Sequence, residues 1–264
     1  MKCFETTIKP LLKFGDGVAK ETGKKFKEFG CKKVLAGYDA NLPEAIVSTV
    51  LDSITAEGIE LIPYSCPYAD GQDTGVLEVR QLAIDNQVDG FLAMGGGSTM
   101  DIVKAASLLV DKPLPIDQYF VGWYNGPDLP RKAHLISIPT TSGTGAEATR
   151  SCIIASQTHG VKATLSSQAA KADFVFLDPQ ITKSLPTYVT ATTGMDAISH
   201  ACEALCCVKS NIFTEMICGK SLELSWANLY TAYKEPENLE ARANMSMAAY
   251  LGLTGESYGN CGHS

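Results

Sequence analysis

Phe91-Leu92-Ala93-Met94 runs directly into Gly95-Gly96-Gly97-Ser98, and Asp101 to Val110 then reads as helix. This junction constrains the fold more than any other stretch. A short apolar run with no polar residue to face water is a strand buried on both faces. The same alternation recurs upstream. Lys33-Val34-Leu35-Ala36-Gly37 is a strand, Leu42, Ile46, Val50 and Ile54 keep a helical period up to Gly58, and Ile59 to Tyr64 is the next strand. A helix from Gly75 to Asn86 follows, with Val76, Val79, Leu82 and Ala83 on one side. Strands alternating with helices predict a parallel sheet covered on both faces, and such sheets bind ligands at the carboxyl ends of their strands.

Phe14-Gly15-Asp16-Gly17 reads as a turn feeding a first helix that stops at Gly30. Lys112 to Lys132 is rich in Pro and Gly and reads as a surface excursion. His134 to Ile138 is a strand ending in the Pro139 to Gly145 loop, and Ser151–Ser156 and Val161–Leu165 are spaced to pair as a hairpin. Phe174 to Leu177 is the last strand; beyond Pro186 only helical pattern remains, which places a domain boundary near Ser184. The length of 264 residues suits two domains, or one and a large part of another.

Two constellations carry chemistry. Glycines at Gly95–Gly97 let a pyrophosphate approach the backbone, and the following helix start offers free N–H donors with partial positive charge. A tight turn with a capped helix meets the same pattern, because Ser98 and Asp101 have capping-box spacing. The spacing is not that of G-x-G-x-x-G. In Thr193-Gly194-Met195-Asp196-Ala197-Ile198-Ser199-His200, Asp196 and His200 stand one helical turn apart. A carboxylate and an imidazole on one helix face form half of a divalent-metal site, although such pairs are more often solvated contacts.

The net charge of −7, without a basic block, argues against nucleic acid or an anionic membrane surface as partner. The first residues lack the apolar core of a secretory signal, and no apolar run could span a bilayer. Nine scattered cysteines without Cys-x-x-Cys point to a reduced, cytoplasmic chain.

Taken together, Gly95–Asp101, Pro139–Glu147 and Thr193–Glu203 resemble, in order and spacing, the iron-containing (group III) alcohol dehydrogenases. The resemblance runs from about Phe14 to at least Glu203. It implies an α/β dinucleotide-binding domain over residues 1–184, with a mostly parallel sheet and helices on both faces. Residues 185–264 would begin a metal-binding all-α domain that is incomplete, so the chain looks C-terminally truncated relative to the family. The implied activity is metal-dependent and NAD(P)-linked, moving a hydride between a primary alcohol and the nicotinamide, or reducing an aldehyde in reverse.

The resemblance also assigns residues. Gly96, Gly97 and Ser98, with Asp101 in the same block, would hold the pyrophosphate. Asp39, at a strand end, would accept hydrogen bonds from the adenosine ribose and repel a 2′-phosphate, favouring NAD over NADP; an ordinary turn Asp is the other reading. Thr140, Thr141 and Thr144 look like the cofactor-contacting loop, and Lys162 falls beside the nicotinamide ribose. Asp196, His200 and His263 match ligands of catalytic Fe²⁺ or Zn²⁺, with a fourth expected further on than Ser264. His134 and His159 read as structural or exposed. Gly122-Trp123 and Met247–Gly252 are similar to a narrower branch, the 3-deoxy-manno-octulosonate 8-oxidase type. The implied partners are a small alcohol or aldehyde and a second copy of the chain. The alternative is a catalytically impaired dinucleotide-binding remnant of the family; a dehydroquinate-synthase-like use of the scaffold fits the Asp196–His200 block less well.

Overall fold

The computed structural model describes residues 10–259. In chain order they form β1 (Leu11–Phe14), α1 (Thr22–Glu28), β2 (Lys33–Asp39), α2 (Glu44–Thr55), β3 (Glu60–Cys66) and α3 (Asp73–Asn86). Then come β4 (Gly90–Gly95), α4 (Gly97–Leu109), β5 (His134–Pro139), β6 (Ser151–Ser156), β7 (Val161–Ser166) and β8 (Phe174–Leu177). After β8 the described residues are helical: α5 (Pro179–Thr182), α6 (Thr187–Cys206), α7 (Ile212–Lys234) and α8 (Leu239–Gly259). The expected class, a mostly parallel α/β sheet followed by an all-helical part, is the one that forms.

Six strands make one sheet in the order β1-β8-β5-β4-β2-β3, with every pair parallel. Side chains alternate across a strand, and here both sides are buried. Leu35, Phe91, Ala93 and Leu135 join α3 and α4 in one apolar cluster. Their neighbours Val34, Ala36, Leu92, Met94 and Ile136 join Phe26 of α1 and Val50 and Ile54 of α2 in the other. That is why these strands read as continuous apolar runs. Helix α4 is buried on every side from Thr99 to Leu109, as befits a central element.

One strand has no counterpart in the sequence reading, and one expectation is corrected. The segment before Phe14 is a strand, β1, which extends the sheet by pairing with β8. Its signal is weak because the strand is four residues long, Leu11-Leu12-Lys13-Phe14, with no alternation of apolar and polar residues; Leu11 and Phe14 are 66% and 43% exposed. The Lys112–Lys132 excursion is also partly inside: Phe120 and Leu129 are buried, and Val121 N donates to Thr164 O at 2.7 Å. The hairpin forms as expected, β6 against β7, outside the main sheet.

From β2 the chain crosses to β3 on one side and returns through α3 to β4 on the other. The carboxyl ends of β2 and β4 therefore flank the point where strand order reverses, which is where a crevice opens in such sheets. Asp39 closes β2 and Gly95 closes β4. At β8, Asp178 caps α5 through Gln180 N and also accepts from Gly17 N and Ala19 N, fixing the first connection to the last.

Candidate functional site

At the end of β4 the chain turns at Gly96 and enters α4. No side chain caps this helix, which leaves its first N–H groups for a ligand or water. A Cβ on Gly97 would stand 2.9 Å from Thr144 Cγ2, so only glycine lets the threonine loop lie so close to the helix start. The capping-box expectation is overturned. Ser98 Oγ instead donates to Ala69 O at 2.8 Å, and Asp101 turns inward. Asp101 Oδ2 accepts from Ile153 N at 2.9 Å, and Oδ1 faces Lys104 Nζ at 3.3 Å. Burial pushes the Asp101 carboxyl up, against the pull of Lys104.

Lys104 is fully buried and also donates to Ala146 O at 2.8 Å and Ser151 O at 2.7 Å. It ties α4 to the two segments that flank the crevice. The sequence offered one signal for it, a lone cation three residues after Asp101 in a largely apolar helix.

Gly97, Ser98, Asp101, Thr144, Lys162, Asp196 and His200, assigned from sequence, come together around one cleft of about 710 Å³. Lys162 Nζ pairs with Asp70 Oδ1 at 2.8 Å, joining β7 to the β3–α3 connection. Asp70, Arg150, Leu253, Glu256 and Ser257 also line the cleft. Sequence reasoning missed them because the loops and α8 reach it only through tertiary packing. Asp39, Gly96, Thr140 and Thr141 lie outside this lining. Asp39 Oδ1 accepts from Asn41 N at 2.8 Å in a turn at the end of β2, and Thr140 is buried with its N–H on Gly95 O. His134 stacks on Phe29 and His159 faces Asp117 at 2.6 Å, both structural.

On α6, His200 Nε2 and Asp196 Oδ1 are 3.7 Å apart, with the side chains 16% and 39% exposed. This exceeds hydrogen-bond contact. It is close to the roughly 3.0–3.5 Å that two ligands of one ion keep when each stands ~2.0–2.2 Å from it. The pair therefore fits as part of a metal's ligand set. Among the described residues no group of three His, Cys, Asp or Glu side chains converges on one point. His263 lies outside the described residues.

This architecture is matched by known proteins. Residues 10–179 match the family model described as iron-containing alcohol dehydrogenase, and residues 190–263 match the C-terminal model of the Fe-containing alcohol dehydrogenase family. The chain belongs to the iron-containing alcohol dehydrogenase family. It is 32% identical over 286 residues to the mitochondrial hydroxyacid-oxoacid transhydrogenase of Bos taurus, covering 98% of this chain and 60% of that protein. Over 256 residues it is 34% identical to the sulfoacetaldehyde reductase of Bilophila wadsworthia, covering 96% of this chain and 64% of the relative. The chain thus spans under two thirds of the length of these relatives. The crystal structure of sulfoacetaldehyde reductase from Bifidobacterium kashiwanohense in complex with NAD+ superposes with a TM-score of 0.90 at 24% identity, covering 98% of this chain and 68% of that one, a likeness of fold. No helix among the described residues is long and apolar enough to cross a membrane.

Proposed function

We propose that this protein is a metal-dependent, NAD-linked alcohol dehydrogenase that reduces the corresponding aldehyde in reverse. One observation carries the reading: the uncapped start of α4 and the Asp196–His200 pair line the same cleft. The NAD-bound neighbour and the family's iron chemistry support it.

Gly96, Gly97 and Ser98 would seat the pyrophosphate on the first N–H groups of α4. Asp39, at the neighbouring strand end, would meet the adenosine ribose and disfavour a 2′-phosphate, hence NAD over NADP. Thr140, Thr141 and Thr144 form the loop facing that helix start. Lys162, steadied by Asp70, would lie beside the nicotinamide ribose. Bound NAD would supply the hydride acceptor. Fe²⁺ or Zn²⁺ held by Asp196 and His200, with His263 as a third ligand, would supply a Lewis acid for the substrate oxygen. In this reading the proton is released to water in the cleft.

The test is NADH oxidation with short aldehydes, with and without added Fe²⁺ or Zn²⁺. Metal-dependent turnover is expected; metal-independent turnover that survives both Asp196→Ala and His200→Ala overturns the metal role. A second reading, NAD binding without turnover, draws on the two-residue ligand set among the described residues. It predicts NADH binding with no bound metal.

Gly97→Ala probes the cofactor half alone. The added methyl meets Thr144 at 2.9 Å and must push the loop or the helix start aside. NADH affinity is expected to fall about tenfold, roughly 1.4 kcal/mol, with the melting temperature little changed. Fluorescence titration and a thermal melt check the two halves.

A further inference from the structure

Glu147 sits on the 3-10 turn Ala146–Ala148, between the threonine loop and β6. It is 2% exposed, and its Oε2 has no hydrogen-bond partner. A buried, unsatisfied carboxyl is uncommon in a folded chain and calls for a reason. The turn packs against α4, α8 and β5. From α4 the nearest charge is Lys104, but its three N–H bonds go to Asp101, Ala146 O and Ser151 O. From α8 the facing group is Tyr250, whose hydroxyl donates to Pro10 O at 3.4 Å, with Glu256 further along at the cleft. β5 brings no titratable group to the junction, since its His134 is at the far end against Phe29. A backbone N–H and the field of Lys104 only partly offset the burial of a carboxylate, and no side chain bonds Oε2.

The junction is also tight. A Cβ on the preceding Gly145 would lie 2.7 Å from Leu253 Cβ and 2.8 Å from Ala249 O, so the loop and α8 meet backbone to backbone. Two turns of α8 carry Ala249 and Tyr250 at this seam and Leu253, Glu256 and Ser257 at the cleft.

We infer that Glu147 is a positioning residue that acts as an uncharged acid, keeping α8 seated on the threonine loop and so holding the helical wall of the cleft against Gly97 and Thr144. The role rests on the dehydrogenase reading only in what the cleft binds. Burial raises the Glu147 carboxyl from 4.5 to about 7, with a hydrogen bond from its own backbone N–H and the charge of Lys104 pulling the other way. Ionisation above that point puts a charge into a dry seam, and the seam relieves it by admitting water and letting α8 move off. Cleft closure therefore weakens as pH rises through about 7.

Two measurements on Glu147→Gln and Glu147→Ala decide this. The first is amide hydrogen exchange of α8 and the threonine loop at about pH 6 and about pH 8.5, corrected for intrinsic rates; it needs no cofactor. The second is NADH affinity at the same two values. In the wild type, protection should fall and the NADH dissociation constant rise about three- to tenfold between them. Glu147→Gln, neutral at both, should hold the low-pH behaviour throughout, and Glu147→Ala should be loose at both. Equal pH responses in wild type and Glu147→Gln overturn the inference, as does Glu147→Gln being as loose as Glu147→Ala. Should Glu147→Ala fail to fold, the Gln comparison decides alone. Absence of NADH binding in every variant sinks the dehydrogenase reading and leaves the exchange result standing.

Discussion

His200→Ala is expected to remove bound metal and lower kcat/KM by roughly 10²–10³-fold or more, while NADH still binds. The reason lies in the geometry of α6. Asp196 and His200 stand one turn apart with their polar atoms 3.7 Å from each other, and neither is deep in the core. Truncating a partly exposed side chain costs folding little, within about 1 kcal/mol, so the loss should be one of chemistry. Asp196→Asn keeps the shape and removes the negative charge, and it should bind metal more weakly than the wild type. Elemental analysis, an NADH titration and steady-state kinetics on the same preparations separate the outcomes. Full turnover by His200→Ala with no metal bound would end the metal assignment.

The second large effect is on stability. Lys104→Met is expected to cost about 3–5 kcal/mol, a fall on the order of 10 °C in melting temperature for a chain of this size. The substitution strips Asp101 Oδ1, Ala146 O and Ser151 O of a shared donor in a region closed to water. The effect should also depend on pH, with a definite sign. Burial already raises the Asp101 carboxyl above its ordinary value of 3.8, and Lys104 opposes that rise. Without the lysine it climbs further. An acid whose carboxyl is raised in the folded state loses stability as pH climbs above its unfolded value. The deficit of Lys104→Met is thus greatest at neutral pH and smallest near pH 4, and Asp101→Asn added to it should recover part. Chemical denaturation across that range measures both claims.

Much of this molecule was legible in its sequence, for identifiable reasons. The strands that became β2, β4 and β5 are apolar on both faces because helices cover both, and a continuous apolar run is a strong signal. The turn at Gly95–Gly97 and the one-turn spacing of Asp196 and His200 are local geometry, which sequence spacing states directly. Where interactions are long-range, the reading failed. β1 is only four residues long, without the alternation that marks a strand, and it forms by pairing with the edge of β8. Ser98 and Asp101 have the spacing of a cap, yet Ala69 O and Ile153 N, from other elements, claim them. Lys104 matters through two carbonyls more than forty residues away in sequence, at Ala146 and Ser151. No window of local sequence contains that information.

The Lys162–Asp70 contact joins hairpin to sheet at the rim of the cleft, with the two side chains 62% and 57% exposed. Charges so open to solvent are screened over ~8 Å at physiological ionic strength and over ~3 Å in molar salt. Added electrolyte therefore loosens this clasp while leaving the buried Lys104 lattice intact. The entrance should respond to brine long before the framework behind it does.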